Sequence, residues 1–433
     1  MLELLKEIIL DSQNEELFLG TRRHLKHQSV KGKAFVCIGV RRCGKSTLMA
    51  QIMSELSSKG VSRKNILYLN FFDDRLDTLK EGKLSLVTEA FFSLYPEKKS
   101  KERIYLFFDE LQEMAGWEKY VDRLLRTENC DVFISGSSAK LLSREISTQM
   151  RGRSLAWELF PFSFTEFLDY RRIEHKAMTS KNRHLVQNAF DNYFTVGGFP
   201  EAMDMADKLR IMTHQEYFNS ILHRDIIERF DAIHPKAVVQ LGHRLVNNIA
   251  SLHSLNRLTD YLKSSGYKLS KAFVKDCLEW SNDAFLFFPV KINSPSVSKQ
   301  NANPQKIYAI DHSLVKSVSS SVLLNKGHLL ENLVFCHLRR KTDKIWYHRT
   351  MNGKETDFVY LSEDKKLLPV QVCYSLADPG TRKRELSALV EASREIGSKT
   401  ATVVTYSEEE NLKTDGVEIT AIPAWKYCIR FAP

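Results

Sequence analysis

The stretch that decides the fold is the nonapeptide Gly39-Val40-Arg41-Arg42-Cys43-Gly44-Lys45-Ser46-Thr47. It matches the pattern G-x-x-x-x-G-K-[ST] in full, and it follows an apolar run, Ala34–Ile38, that is typical of a buried strand. Glycines let backbone N–H groups wrap a phosphate, and a helix N-terminus adds the positive end of its dipole. The pattern predicts a nucleotide-binding loop, with Lys45 at the β- and γ-phosphates and Ser46 on Mg²⁺. The other candidate nucleotide contacts are Gly39, Arg41, Arg42, Cys43, Gly44 and Thr47.

On both sides of this loop, short apolar runs alternate with helical patterns. Apolar runs predict strands at residues 34–38, 65–72, 104–108, 131–135 and 154–160, and helices are predicted at 46–58, 84–94 and 117–126. Continuous apolar strands that alternate with helices indicate a parallel sheet covered on both faces. We therefore expect an α/β core over residues 1–165.

An acidic pair follows the apolar run at residues 104–108. Asp109 and Glu110 would lie at the carboxyl edge of the sheet, where parallel sheets bind their ligands. Asp109 would support Mg²⁺ directly or through water. Glu110 would orient or deprotonate the attacking water.

Two further elements extend the candidate catalytic set. Ser135 or Ser137, at the end of the next strand, could sense the γ-phosphate, although a helix cap explains Ser137 or Ser138 equally well. Arg151 or Arg153 would face the γ-phosphate, in cis or from a neighbouring subunit, and neutralise charge in the transition state. The alternative is that these are ordinary surface arginines.

Composition restricts the class of protein. The chain has 433 residues, of which 43% are hydrophobic and 27% charged, which is ordinary for a soluble globular protein. Its seven cysteines are scattered without a C-x-x-C pair, which argues against a structural zinc site and a disulfide framework. No apolar run approaches the roughly 18 residues of a membrane span. We expect a cytoplasmic protein that does not enter a membrane.

The net charge of +10 suggests an acidic partner without identifying one. Divided along the chain, it is +3 over residues 1–140, +5 over 141–320 and +2 over 321–433. The middle of the chain is therefore the most basic part, by a small margin.

The pattern changes after Pro161. Helical periodicity predicts a helical lid over residues 166–235. Residues 236–320 show short helices and then two apolar strands joined by a polar loop, which suggests a winged-helix-like module with a mobile loop at Ser294–Asn303. Residues 321–433 predict a last α/β unit that begins with a helix.

With these pieces, the chain resembles prokaryotic AAA-superfamily ATPases that join an N-terminal AAA domain to a C-terminal domain of unknown function, relatives of the archaeal-type ATPases. The residues that carry the resemblance are Gly39–Thr47, Phe107–Glu110, Ser135–Ser138, Leu159–Phe164, Gly197–Glu201, Arg224–Ile226, Leu330–Asn332 and Glu355–Val359. The resemblance implies a P-loop AAA-type parallel sheet core that binds ATP and Mg²⁺. It also implies that a neighbouring subunit can complete the active site, so a homo-oligomer is compatible with it.

The resemblance further implies that residues 321–433 have the fold of restriction-type nucleases. Glu331 on a helix and Asp357 on a strand would be metal ligands if that site is live. Gln371 stands in place of the second acid and Cys373 in place of the lysine. Because Gln is a poorer ligand for a hard cation than a carboxylate, we interpret the domain as nuclease-like without cleavage. A residual or altered metal site is the alternative.

The module at 236–320 is the candidate nucleic-acid contact. Lys263, Lys268, Lys271 and Lys275 lie around its second and third helices. Lysines that contact phosphates give salt-sensitive affinity without sequence preference. A solvated helix face, or a module packed between the other domains, is the alternative.

Together these features predict an ATP-binding and ATP-hydrolysing switch, with DNA as a candidate partner. One alternative is a DNA- or protein-binding adaptor in which ATP is a conformational ligand. A second is an ATP-regulated nuclease.

Overall fold

The structure is a computed structural model that describes residues 1–26, 28–80, 82–137, 150, 152–177, 179–319 and 325–432. The described residues divide into two compact units, 1–160 and 161–433. The boundaries expected at residues 165, 235 and 320 stay predictions. No helix in the described part of the chain is both long and apolar enough to cross a bilayer.

The first unit is a parallel sheet with helices between its strands. Its strands are β1 (Ala34–Ile38), β2 (Ile66–Asn70), β3 (Ile104–Asp109), β4 (Cys130–Gly136) and β5 (Ser154–Glu158). Its described helices are α1 (Leu2–Asn14), α2 (Lys45–Ser58), α3 (Ser85–Leu94) and α4 (Trp117–Thr127). The strands pair in parallel in the order β2-β3-β4-β1-β5. The predicted P-loop α/β core is confirmed.

Buried strands form the core of this unit, and their carboxyl ends lie together at one edge of the sheet. Every residue of β1 and β4 is buried. Phe107 on β3 stacks on Phe133 of β4 with ring centroids 4.4 Å apart. Because the strands are parallel, their carboxyl ends share an edge. There β1 leads into Gly39–Thr47, β3 into Glu110 and β4 into Ser137.

Helices open the second unit. They are α5 (Phe164–Tyr170), α6 (Ser180–Val196) and α7 (Asp207–Ser220), which continues into a π-helix at Ile221–Glu228. A capping box begins α5. The Ser163 hydroxyl accepts from the Glu166 N–H at 3.3 Å, and the Glu166 carboxylate accepts from the Ser163 N–H at 2.8 Å.

A part with three longer helices and a small sheet follows. Its helices are α8 (Pro235–Asn247), α9 (Leu255–Ser264) and α10 (Lys271–Asp283). Its strands, β6 (Leu252–His253), β7 (Phe287–Val290) and β8 (Gln305–Ala309), form an antiparallel sheet in the order β6-β8-β7, which we call the middle sheet. The expected loop at Ser294–Asn303 is corrected. A short helix, α11 (Val297–Ala302), forms there because the Ser296 hydroxyl caps it.

The turn at Gly197-Gly198 docks on the start of α12 (His312–Val318). Gly197 has a φ of 80°, and a Cβ there would lie 2.5 Å from Asp311 Oδ1. The Gly198 N–H donates to Asp311 Oδ2 at 2.8 Å. The glycine pair therefore has a steric and hydrogen-bonding cause.

The terminal part begins with α13 (Lys326–Arg339). The elements that follow are β9 (Ile345–Arg349), β10 (Glu355–Leu361), β11 (Leu367–Val372), α14 (Pro379–Ile396), β12 (Thr400–Thr405), β13 (Glu410–Thr414), β14 (Val417–Pro423) and α15 (Ala424–Arg430). The strands form a sheet in the order β13-β14-β12-β11-β10-β9, which we call the terminal sheet. An antiparallel run of β9, β10 and β11, then a helix and the parallel strand β12, agrees with the predicted nuclease-like fold.

Candidate functional site

The loop between β1 and α2 has a backbone that only certain residues allow. Gly44 caps α2 with a φ of 98°, and Arg42 has a φ of 64°. Backbone of this kind forms concavities for anions. At Gly39, a Cβ would lie 2.1 Å from the carbonyl oxygen of Leu159. Both glycines of the motif are therefore required by the geometry.

Lys45 is buried, with 5% of its surface exposed. Its Nζ donates to the carbonyl oxygens of Gly39 at 3.1 Å and Val40 at 3.2 Å, and lies 3.5 Å from Glu110 Oε1. Burial alone lowers the pKa of Lys45, but Glu110 and other negative groups outweigh it and raise the pKa above its ordinary value. The ammonium is charged at neutral pH.

Glu110 is held from several sides. Its backbone is left-handed, with a φ of 55°, which is uncommon for a residue other than glycine. One carboxylate oxygen accepts from Gln112 Nε2 at 2.5 Å and from the Ser137 N–H at 3.2 Å. Burial raises the pKa of Glu110, but Lys45 and these donors outweigh it, and the pKa falls below its ordinary value. Glu110 is therefore an ionised, oriented carboxylate.

Asp109 lies beside Glu110 and is almost fully buried. Its carboxylate accepts from the Tyr68 hydroxyl at 3.1 Å and from the Ser135 hydroxyl. Ser135 also accepts from the Glu110 N–H at 3.3 Å, so it links the two acids. Tyr68 was missed from the sequence. In β2, Tyr68 lies two positions before Asn70, which pairs with Asp109 of the neighbouring strand β3. Side chains two positions apart share a face of the sheet, so this strand pairing is the feature that could have identified Tyr68.

The residues near the loop fit a magnesium ion. Ser46 is exposed at the start of α2 and offers a hydroxyl oxygen. The Asp109 carboxylate can accept beyond its two hydrogen bonds, since an ionised carboxylate has about four lone-pair sites. Mg²⁺ prefers such oxygen ligands. No cluster of three or more His, Cys, Asp or Glu side chains suited to a metal occurs among the described residues, near this loop or elsewhere.

The remaining loop residues differ in exposure. Arg41 is half-buried, with its guanidinium 5.3 Å from the centre of the Phe72 ring. Arg42 is exposed and Thr47 half-buried. Cys43 is buried, and burial raises the pKa of its thiol, so it is a packed thiol rather than a nucleophile.

Arg23 contributes to the loop and was also missed. It is 6% exposed, and its Nη1 donates to the carbonyl oxygen of Cys43 at 2.5 Å. Its Nη2 donates to the carbonyl oxygen of Phe160 at 2.6 Å. One guanidinium therefore connects the end of the phosphate loop to the segment after β5. No local pattern marks an arginine in an extended segment for this role.

The structure separates Arg153 from the phosphate loop of its own chain. Arg153 precedes β5, and its carbonyl oxygen accepts from the N–H of Ala34, at the start of β1. The loop begins after Ile38, about 13 Å away at about 3.3 Å per residue. The guanidinium instead lies 3.4 Å from Asp122 on α4. Arg153 therefore lies away from the loop of its own chain, and its role at the γ-phosphate, in cis or from a neighbouring subunit, stays a prediction. Arg151 and Ser138 lie outside the described residues.

The terminal acids converge on a lysine. Lys306, on β8, lies with its Nζ 3.0 Å from Glu331 and 2.8 Å from Asp357. Gln371 donates to Glu385 at 2.7 Å and accepts from the Asp357 N–H at 3.2 Å. Cys373 donates its thiol to the carbonyl oxygen of Ser375. Glu331 and Asp357 are therefore brought together as predicted, and the Lys306 ammonium, which no sequence pattern indicates, lies between them.

All four predicted nucleic-acid lysines are exposed, and two of them, Lys263 and Lys268, line an open groove. The groove holds about 820 Å³ and is lined by Ile233, His234, Lys263, Tyr267, Lys268 and Phe273, among others. Lys271 lies at the start of α10, whose N-cap Ser270 also lines the groove. Lys275 differs from the others because it pairs with Glu279 at 3.2 Å.

The chain matches known families along most of its length. Residues 31–168 match an AAA domain, residues 187–323 a Domain of unknown function (DUF8612), and residues 326–427 a Domain of unknown function (DUF4143). The "Uncharacterized protein MJ1544" of Methanocaldococcus jannaschii is 32% identical over 99% of this chain and 96% of its own length. An "Uncharacterized protein" of Haemophilus influenzae is 29% identical over 90% of this chain and 93% of its own length.

Solved structures are more distant. The structure of the Aeropyrum pernix ORC1 protein in complex with DNA has a TM-score of 0.33 and 11% identity, and covers 73% of this chain and 90% of its own. A TM-score this low supports no statement about this chain.

Proposed function

This chain belongs to the family of prokaryotic AAA ATPases that join an N-terminal AAA domain to a C-terminal domain of unknown function, and we propose that it binds and hydrolyses ATP at Gly39–Thr47. The observation that carries the proposal is the buried pair in which Lys45 Nζ lies 3.5 Å from Glu110 Oε1, with Asp109 beside it. Phosphoryl transfer to water needs a cation that contacts the phosphates, a carboxylate near the metal ion, and a second carboxylate that orients the attacking water and accepts its proton.

In this proposal each side chain has one role. Lys45 leaves its loop carbonyls and contacts the β- and γ-phosphates. Glu110, ionised and oriented by Gln112 and the Ser137 N–H, orients the attacking water and accepts its proton. The Ser135 hydroxyl orients both acids, because it donates to the Asp109 carboxylate and accepts from the Glu110 backbone N–H.

Ser46 and Asp109 would hold the magnesium ion. Mg²⁺ bound there would neutralise charge on the phosphate oxygens. Tyr68 keeps the Asp109 carboxylate oriented by donating to it at 3.1 Å.

Phosphate release, with and without duplex DNA, tests the proposal. If the protein is a nucleotide-driven switch, it should release phosphate from ATP, and duplex DNA should change the rate of release. The Glu110→Gln variant should lose this turnover. Tight ATP binding with no turnover above that of Lys45→Met, under both conditions, would instead identify the adaptor.

We also propose that residues 236–320 contact DNA phosphates as a winged-helix-like module. Support comes from exposed Lys263 and Lys268, which line one groove, and from exposed Lys271, which follows the lining residue Ser270 at the N-terminus of α10. The double variant Lys268→Glu/Lys271→Glu should weaken DNA binding and lower the salt slope by about 2, since each phosphate contact contributes roughly 0.9.

A matched control keeps the same change in charge. Lys64 and Lys101 are exposed lysines of the first unit. The variant Lys64→Glu/Lys101→Glu should leave the salt slope unchanged. Equal loss in both double variants would indicate a net-charge effect and reject the groove as the contact.

An arginine that faces the γ-phosphate would come from a neighbouring subunit if Arg153 supplies it, because in cis it lies at the other edge of the sheet. Mixing Lys45→Met subunits with Arg153→Ala subunits tests this. Recovery of turnover in the mixture supports a trans arginine and a homo-oligomer. No recovery, with each variant folded, rejects it.

A further inference from the structure

We propose that Lys306 is a built-in cation that takes the place of a divalent metal ion among three acids of the terminal part, so that this part anchors the middle sheet and cuts no nucleic acid. The three acids, Glu331, Glu355 and Asp357, are called the acid cluster below. The lysine comes from β8 of the middle sheet, and the acids come from α13 and from β10 of the terminal sheet.

With Lys306 between them, the three acids form no group suited to a metal ion among the described residues, and the ammonium occupies the point where they converge. Lys306 Nζ lies 3.0 Å from Glu331 Oε1, 2.8 Å from Asp357 Oδ1 and 2.8 Å from Glu355 Oε1. The ammonium donates to Glu331 and Asp357 and forms an ion pair with Glu355. The Lys306 side chain is only 4% exposed. A buried charge of this kind persists because it is paired on every side.

A divalent cation and this ammonium exclude each other. Mg²⁺ would need the same oxygens at about 2.1 Å, which would place it against the Nζ atom with the same sign of charge. The two positions cannot be filled at once, so the cluster takes no metal ion while Lys306 is in place.

The residues next to the cluster bind β8 as well. The Tyr308 hydroxyl donates to Glu331 Oε1 at 2.6 Å. The Ala309 N–H donates to Asn332 Oδ1 at 2.7 Å, and Asn332 Nδ2 donates to the Ala309 carbonyl oxygen at 3.1 Å. Glu331 and Asn332, in the sequence Leu330-Glu331-Asn332, therefore attach α13 to β8 through side-chain hydrogen bonds.

Gln371, at the position of the second acid, uses its amide in other hydrogen bonds. Gln371 Nε2 donates to Glu385 at 2.7 Å, and Gln371 Oε1 accepts from the Asp357 N–H at 3.2 Å. The second Asp357 oxygen accepts from the Val372 N–H at 2.9 Å. Gln371, which stands at the position of the second acid, therefore links β11 to β10 and supplies no carboxylate to the acid cluster.

Mn²⁺ binding by the full-length chain, without nucleotide, tests the inference by electron paramagnetic resonance. Wild type and Glu331→Gln should bind Mn²⁺ equally, because the cluster holds none. Lys306→Gln removes the ammonium and should bind one Mn²⁺ per chain more than wild type. Lys306→Gln/Asp357→Asn should lose that extra ion, and Lys306→Arg should not gain it.

Two results would overturn the inference. One is wild-type Mn²⁺ binding that Glu331→Gln reduces by one ion per chain, especially with metal-dependent nicking of supercoiled DNA lost in Asp357→Ala. The other is a folded Lys306→Gln variant with no extra ion. If Lys306→Gln does not fold, the comparison of wild type with Glu331→Gln decides. None of these results involves ATP hydrolysis, so the proposed ATPase activity stands or falls separately.

Discussion

Lys45 Nζ lies 3.5 Å from Glu110 Oε1, and both side chains are almost fully removed from solvent. Lys45, the proposed phosphate-binding cation, and Glu110, the proposed general base, therefore form a buried ion pair. Removing one member of a buried pair leaves the other uncompensated. Variants of either residue must therefore be analysed for stability as well as for chemistry.

Lys45→Met should abolish measurable ATP binding and destabilise the first unit, by about 3 kcal/mol if Glu110 behaves as other orphaned buried charges do. Lys45→Met/Glu110→Gln should recover most of the stability and none of the affinity. Titration calorimetry with ATP and denaturant unfolding measure the two effects. Wild-type ATP affinity in Lys45→Met would contradict a phosphate role for this lysine.

Tyr68→Phe removes the hydroxyl that donates to Asp109 at 3.1 Å. We expect a loss of about 1.5 kcal/mol in the free energy of unfolding, since hydrogen bonds to charged groups contribute about that much. Turnover should fall as well, because Asp109 is then oriented by Ser135 alone among the described side chains. Denaturant unfolding and phosphate release measure these effects.

Tyr105→Phe is the matched control for this change. Tyr105 lies on the adjacent strand β3 and is half-buried. Its substitution should change stability by less than about 0.5 kcal/mol. Equal losses in the two variants would show that the Tyr68 hydroxyl has no special relation to Asp109.

Arg23→Met should weaken ATP binding about tenfold or more, equivalent to about 1.4 kcal/mol. The reason is that its guanidinium holds the Cys43 carbonyl at 2.5 Å and the Phe160 carbonyl at 2.6 Å. Arg22→Met is the control, because Arg22 is exposed and only 3.7 Å from Glu55 in a surface pair. Nucleotide titration of both variants checks this, and equal affinities for the two would refute it.

His337 should make the second unit sensitive to mild acid. Its Nε2 accepts from the Phe164 N–H at 3.2 Å, and its Nδ1 lies 3.0 Å from the Leu333 carbonyl oxygen, so the folded protein holds the neutral ring. Burial and then Arg340 lower the pKa of His337 well below its ordinary value. Its contribution to stability is therefore complete above about pH 6.5, the value in the unfolded chain.

Below that pH the unfolded chain takes up a proton that the folded protein refuses. Stability should then fall by up to about 1.4 kcal/mol per pH unit until the folded pKa is reached. His337→Gln keeps an acceptor and a donor but does not titrate. Its unfolding free energy should fall less steeply from pH 7 to 5, and identical slopes would contradict the assignment.

The parts of the fold predicted correctly are those with a local signal. The loop Gly39–Thr47 and the strand Ala34–Ile38 are specified by residues within a few positions of each other. β13 and β14 have a weaker local signal, because they form a partly exposed hairpin and their polar residues leave no continuous apolar run.

The parts that were missed depend on partners distant in sequence. Lys306 meets Glu331 and Asp357 across 25 and 51 positions. Arg23 meets Phe160 across 137 positions. Nothing in the local sequence distinguishes these buried cations from the many exposed ones, since only the tertiary fold places them beside carbonyl or carboxylate oxygens.

ATP cleavage in a single turnover by wild type and Glu110→Gln, at protein concentrations that bind all the nucleotide, tests the central claim most directly. Wild type should cleave ATP. Glu110→Gln should bind ATP with an affinity within threefold of wild type and cleave it slower by about 100-fold or more. Equal cleavage rates in the two proteins, or no cleavage by wild type above that of Lys45→Met, would contradict it.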